Sequence, residues 1–294
     1  MIEVILDASQ IEVFEACPRK WYYDYVLNLT TKHPNPALST GSYYHEVLKF
    51  YYSNKLALRG ALLLAQELAN GIQSIKWPAV AADPKFHFER IKNYLMKYRD
   101  DDEADEVIAV EQGFSTLLYE DDSRRYILEG MIDWIGNRKH MGLTIRDHKT
   151  QSRAYEKYEI NHQVFNYMSF TGANYFEYNY IGLQDSIGAD TFRRLIYKPH
   201  PGMLAQWRLD VKRTFDHMFT YLTDMEYFDG ISEATYNKAT IKAERFPRRR
   251  AACDTKFGIC QFHHICQVPD DSKFVPLVMG KYKKKDEIWR AWNA

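Results

Sequence analysis

Three strand-like runs in close succession, Val107–Leu118, Arg125–Ile135 and Leu143–His148, constrain this 294-residue chain more than any other feature. β-branched and aromatic residues fill them, and Gly136-Asn137 is expected to open the loop between the second and third. Gly130-Met-Ile-Asp133 closes the second run, and Ile145-Arg-Asp-His-Lys149 closes the third. Asp147 and Lys149 stand two apart on a strand, so they project from one face. Asp133 comes beside them if the two strands pair. Two carboxylates can hold a hard divalent cation such as Mg²⁺ or Mn²⁺. A lysine alongside can orient a water and neutralise charge developing on a phosphate. An acid in a turn and an Asp-x-Lys on a solvated strand also occur without chemistry, so the rest of the chain has to decide.

Helical patterns surround these runs. Ser9 with Glu12 reads as a capping box, opening a helix to about Leu27 that carries Cys17 and is kinked or broken at Pro18. Residues 31–39 read as a loop. A second helix starts at Thr40 or Ser42 and passes through His45, Leu48 and Tyr52. Gly60 divides it from Ala61–Lys76, and Pro84–Tyr98 follows. Residues 50–100 thus form a helical insertion ahead of a sheet core over 101–200. Asp100-Asp-Asp-Glu103 reads as a solvated loop without chemistry. A helix over about Ile160–Tyr175, a fourth strand Thr191–Tyr197 and a long helix Leu204–Phe228 complete the pattern, before a basic, irregular tail from Ala239. This order indicates an α/β or α+β core with helical elaboration.

The 39 basic and 39 acidic residues cancel, so nucleic-acid contact would have to come from local clusters. Lys242, Arg245, Arg248, Arg249 and Arg250 form one such cluster, and Lys281, Lys283, Lys284 and Lys285 another. Clusters like these also make ordinary surfaces. No apolar run approaches the roughly 18–20 residues of a membrane helix. The first seven residues lack signal-peptide character. The expectation is a cytoplasmic protein without membrane partners, whose four cysteines are reduced thiols or metal ligands rather than disulfides.

Gln163 and Tyr167, four apart on a helix, share one face, where they either reach the lysine or a substrate phosphate or are simply solvated. His45 is a candidate third ligand, since imidazole fits Mn²⁺ acceptably; Glu46 lies on another helical face. Glu111 is open between support for a second metal and a surface carboxylate. Cys253-x6-Cys260-x5-Cys266 clusters three thiols, with Cys17 far upstream. Zinc sites usually space paired ligands two to four residues apart, which this pattern lacks. A cubane iron–sulfur cluster takes four thiolates at irregular loop spacing. Four unrelated thiols, or His263 or His264 replacing a ligand, remain open at this point.

In order and rough spacing, His45, Gly130-Met-Ile-Asp133, Asp147-His-Lys149, Gln163-Val-Phe-Asn-Tyr167 and the four split cysteines resemble the PD-(D/E)xK nuclease superfamily. The resemblance is to its RecB-like branch with an iron–sulfur cluster, which includes AddB-type nucleases and the CRISPR-associated exonuclease. Ser9–Tyr23 looks like that branch's opening helix around its first cysteine. The branch often has two residues between its second and third cysteines; here there are six.

The resemblance implies one nuclease domain over 1–294, with a restriction-endonuclease-like mixed central sheet flanked by helices and a cysteine segment, 239–268, packing against 9–28. It implies a metal-dependent DNA exonuclease in recombination, repair or processing. His45, Asp133, Asp147 and the His148 carbonyl would bind Mg²⁺ or Mn²⁺. Lys149 would position the water, Gln163 and Tyr167 would orient lysine and DNA, and Arg248, Arg249 and Arg250 would contact DNA. Cys17, Cys253, Cys260 and Cys266 would hold a [4Fe-4S] cluster in preference to zinc. No Walker motif is present. The chain therefore looks like the stand-alone versions that phages and mobile elements encode, acting in the host cytoplasm, with a recombination or helicase protein as a possible partner. The alternatives are a partner-dependent or non-catalytic DNA-binding subunit and a structure-specific or restriction-type endonuclease.

Overall fold

The computed structural model describes residues 1–32, 36–71, 76–151, 161–226, 246–255, 258–267 and 278–285. Lys242 and Arg245 lie outside these residues. Strand β1 (Ile2–Leu6) leads into α1 (Ala8–Ala16). Asp7, not Ser9, caps this helix: its Oδ1 accepts the Gln10 amide at 2.7 Å, and Ser9 already lies in the first turn. The expected helix to Leu27 is broken into pieces. Cys17 takes an extended backbone (φ −163°, ψ 104°), and Pro18 opens α2 (Pro18–Trp21) at the first helical position, where its missing N–H is no loss. A wide π-type turn, Tyr22–Val26, and β2 (Leu29–Thr31) follow.

Helix α3 (Pro36–Ser53) begins ahead of Thr40, again behind a proline. Gly60 lies within α4 (Leu58–Asn70) instead of dividing two helices; a helix tolerates an interior glycine at about 1 kcal/mol. After α5 (Pro78–Ala82), α6 (Pro84–Ala104) absorbs the acidic run expected to be a loop.

Strands β3 (Glu106–Glu120), β4 (Arg124–Arg138) and β5 (Gly142–Gln151) take in the three strand-like runs. Gly136 and Asn137, expected to open a loop, instead pair with Thr144 and Leu143. Glycine is needed at 136 because a Cβ there would lie 2.3 Å from the Glu106 carbonyl oxygen. The turn falls three residues later, with His140 at φ 66°. Asn161 caps α7 (His162–Thr171) through the Val164 amide, and left-handed Gly172 (φ 66°) ends it. Strand β6 (Tyr175–Gly182), unforeseen in the sequence, precedes β7 (Phe192–Tyr197) and α8 (Pro201–Glu226).

The chain divides into two compact units. One comprises Asn35–Phe114 and Gly130–Leu204. Here β4 and β5 pair antiparallel, β5 and β6 parallel, and β6 and β7 antiparallel, with β3 on β4. Tyr44, Leu48, Ile91, Tyr94 and Leu95 of α3 and α6 pack on one face with Trp134 and Ile181. Val164, Tyr167 and Met168 of α7 pack on the other with Ile132, Ile145 and Phe176. The result is the expected mixed α/β sheet flanked by helices.

The other unit comprises Met1–Pro34, Ser115–Glu129 and Ala205–Ala294. Here β1 runs parallel to Arg124–Leu128, and Phe215 of α8 stacks on Tyr126 at 4.8 Å. The N-terminal helices meet the later segment directly. Arg19 Nε donates to the Phe246 carbonyl at 3.0 Å, and the Phe246 ring stacks on Tyr22 at 4.6 Å. A small hairpin, β8 (Asp254–Thr255) and β9 (Gly258–Ile259), follows, and β10 (Tyr282–Lys284) pairs with β2.

Candidate active site

The β4–β5 ladder closes from Arg138–Gly142 up to Trp134–Arg146. At the next position the Asp133 side chain takes over the strand's role: Oδ2 accepts the His148 backbone N–H at 2.6 Å. This pins a buried carboxylate (6% exposed) at the point where the two strands part.

Asp147 and Lys149 project together toward α7. Lys149 Nζ lies 2.8 Å from Asp147 Oδ2. Gln163 spans the pair: its Oε1 accepts from Lys149 at 2.9 Å, and its Nε2 donates to Asp147 Oδ1 at 2.7 Å. Tyr167, one turn on, accepts from the same Nε2 at 3.0 Å. Gly130 makes room for this arrangement. A Cβ there would sit 2.5 Å from the Phe114 ring and 2.9 Å from the Tyr167 ring, so only a bare backbone lets both rings settle on β4.

From α3, His45 Nε2 lies 3.0 Å from the His148 carbonyl oxygen, while Nδ1 lies 3.6 Å from Asp133 Oδ1 and 3.9 Å from Glu111 Oε1. Ligand atoms of His45, Glu111 and Asp133 all fall within 4.8 Å of one another, the one such group of three or more among the described residues. Glu111, left open by the sequence, arrives through a left-handed backbone (φ 50°), a conformation that costs a non-glycine residue energy and gathers at functional sites. Asp147 falls outside that group, its oxygens facing Lys149 and Gln163.

Burial alone would pull the His45 pKa down, but Asp133, Glu111 and Asp147 overcome it and raise it to about 9. Burial pushes Asp133 up, and the negative charges of Asp147 and Glu111 add to that, against the opposing pull of His45 and the His148 amide. In the absence of a metal, then, a proton on His45 balances crowded carboxylates. Imidazole, carboxylates and a carbonyl are a donor set that suits Mg²⁺ or Mn²⁺.

The opposite face of the sheet carries the support. The His148 ring stacks on Tyr52 (5.7 Å, 5° between planes), and the Asn179 side-chain nitrogen lies 2.9 Å from its Nδ1. Fully buried Arg146 pairs with Asp102 at 3.0 Å, Asp105 at 3.1 Å and Glu177 at 2.5 Å, while lying over Trp134. Arg194 shares Asp102 at 2.7 Å, and Arg138 shares Glu177. The run Asp100–Glu103, read as chemically idle, therefore contributes a buried anchor through Asp102. A helix places one member of such a run inward whatever the rest of it does.

The four cysteines belong to the other unit, all with free thiols: Cys17 is buried, and Cys253, Cys260 and Cys266 are half-buried. The β8–β9 hairpin joins Cys253 to Cys260, whose amide donates to the Cys253 carbonyl at 2.9 Å. Burial pushes the Cys260 and Cys266 thiols up, and the nearby sulfurs of Cys17 and Cys253 push them further. Mutual repulsion of this kind is relieved by a cation held among thiolates. Cys266 closes a short helix that His263 and His264 begin. Arg248, Arg249 and Arg250 are exposed, with Arg249 donating to the Glu15 carbonyl. No described helix is long and apolar enough to cross a membrane.

A crystal structure of SSO0001 is similar over 72% of this chain and 75% of that one, at 12% identity and a TM-score of 0.35. No curated protein matches. The family model of the PD-(D/E)XK nuclease superfamily matches residues 6–267, a span that runs from before Cys17 past Cys266 and takes in every site residue above, and the chain belongs to that superfamily.

Proposed function

We propose that this chain is a Mg²⁺- or Mn²⁺-dependent deoxyribonuclease of the RecB-like branch that acts on DNA ends, in recombination, repair or processing. The observation that carries the reading is the Gln163 bridge, which holds Lys149 against Asp147 beside the His45–Glu111–Asp133 group. His45, Glu111, Asp133 and Asp147, with the His148 carbonyl, would hold the ion. When bound, it supplies Lewis-acid polarisation of the phosphodiester. Lys149 orients the attacking water and offsets charge developing on the phosphate. Gln163 fixes the lysine's direction, and Tyr167 fixes Gln163.

Cys17, Cys253, Cys260 and Cys266 would hold a [4Fe-4S] cluster as a staple between the N-terminal helices and the segment around 246–266. Arg248, Arg249 and Arg250 are exposed and available to phosphates.

The test is cleavage of end-labelled linear and circular DNA with Mn²⁺ or Mg²⁺. Linear DNA should shorten from its ends while circles survive, and Lys149→Ala should abolish cleavage with fold and DNA binding retained. Full activity in that variant defeats the mechanism; rapid cutting of circles defeats the exonuclease reading.

A further inference from the structure

We propose that Phe170 is a stacking platform for a terminal or unpaired nucleobase close to the scissile phosphate. This rests on the nuclease reading above and adds to it a binding site for a base.

Gln163, Tyr167 and Phe170 stand at i, i+4 and i+7 on α7, so they form one stripe. Gln163 grips Asp147 and Lys149, and Tyr167 is buried. Phe170 is not: it is 39% exposed. Phe114 covers one face of its ring, with centroids 4.5 Å apart and planes 15° apart, so the exposure belongs to the other face and the edge. Phe114 is itself fixed, buried against the bare Gly130 backbone and edge-on to Tyr167 at 5.8 Å. An exposed ring of this kind is backed by a second, buried ring, which leaves its other face free of that partner.

Seven helical residues separate Phe170 from Gln163, about 10 Å at ~1.5 Å each. That is about three stacked nucleotides at ~3.4 Å each. A base has π-faces whatever its identity, so aromatic stacking is tolerant of sequence. Inside a duplex both faces of a base are already covered by its neighbours. Only a terminal or unpaired base can offer a face to Phe170, so the platform selects strand ends and single strands without reading sequence.

The experiment uses full-length protein and single-stranded oligonucleotides carrying 2-aminopurine at successive positions, without divalent metal. Stacking should change the fluorescence strongly at one position within about three nucleotides of the cut. Phe170→Ala should lose that signal and weaken single-strand binding about ten- to a hundredfold, while Phe170→Trp keeps both. An abasic nucleotide at that position should weaken wild type to the level of Phe170→Ala and leave the variant unchanged. Equal signals at every position, or an abasic scan in which no position matters, overturns the platform. If wild type cleaves no DNA yet shows the Phe170-dependent signal, the nuclease reading fails and the platform stands. If it cleaves normally with no dependence on Phe170, the platform alone fails.

Discussion

Replacing Gly130 with alanine tests how tightly the lysine's setting depends on packing. The added Cβ would meet Phe114 at 2.5 and 2.6 Å and Tyr167 at 2.9 Å. Ordinary carbon contacts begin near 3.5 Å, so the rings must retreat by about 1 Å. Overpacking of this kind costs about 1–3 kcal/mol, partly offset by the ~0.5–1 kcal/mol that alanine recovers over glycine in a strand. The functional cost should be larger. The Tyr167 hydroxyl bonds Gln163, which in turn holds Asp147 and Lys149. Displacing catalytic groups by about 1 Å can cost on the order of a hundredfold in rate. Single-turnover cleavage of labelled linear DNA should therefore fall about a hundredfold, while Mn²⁺ affinity changes little and the urea midpoint drops modestly. Gly130→Ala with Phe114→Leu should recover part of the rate by making room. Wild-type turnover in Gly130→Ala, or no recovery in the double variant, would refute the reasoning.

His45 yields a pH prediction. Its pKa in the folded chain is raised above the ordinary 6.5 to about 9, so the ion-pair stability it contributes without metal is present below 6.5 and lost as pH rises through about 9. Mn²⁺ has to displace that proton, so affinity should climb with pH and level off near 9; calorimetry in buffers of unlike ionisation enthalpy should show proton release, and pH-independent binding would remove His45 from the ligands. Arg146→Ala takes from Asp102, Asp105 and Glu177 their one fully buried cation, leaving Arg194 and Arg138 to hold three carboxylates; loss of one partner of a buried ion pair costs about 3–5 kcal/mol, and denaturant unfolding showing a loss under 1 kcal/mol contradicts this. Anaerobic purification should give brown protein with about four iron atoms per chain, and Cys17→Ser should lower both iron content and melting temperature; stoichiometric zinc without iron overturns the cluster.

Local rules made part of this legible in the sequence. A period of two put Asp147 and Lys149 on one face, and a spacing of four put Gln163 above Tyr167. Partners distant in sequence obscured the rest. Asp102 looked solvated because the arginines that bury it lie 44 and 92 residues away. Strand β6 was hidden by Glu177 and Asn179, polar residues that suit a buried strand only once Arg146, Arg194 and His148 are opposite. Glu111 reaches the site through a backbone conformation that no periodicity encodes.

The hydrogen bond from the His148 amide to Asp133 bears on which ion the proposed site would favour. With Oδ2 engaged by the His148 amide, the Asp133 oxygen facing His45 is the one less committed within the protein. A carboxylate so tethered cannot swing to grip with both oxygens, as the larger Ca²⁺, with its six to eight ligands at ~2.3–2.6 Å, often requires. Held in one orientation, it would suit a small six-coordinate ion better than a large one. On the metal-dependent reading proposed above, a hydrogen bond that first looks like a repair to an unfinished β-ladder would thereby bias the site by ionic radius.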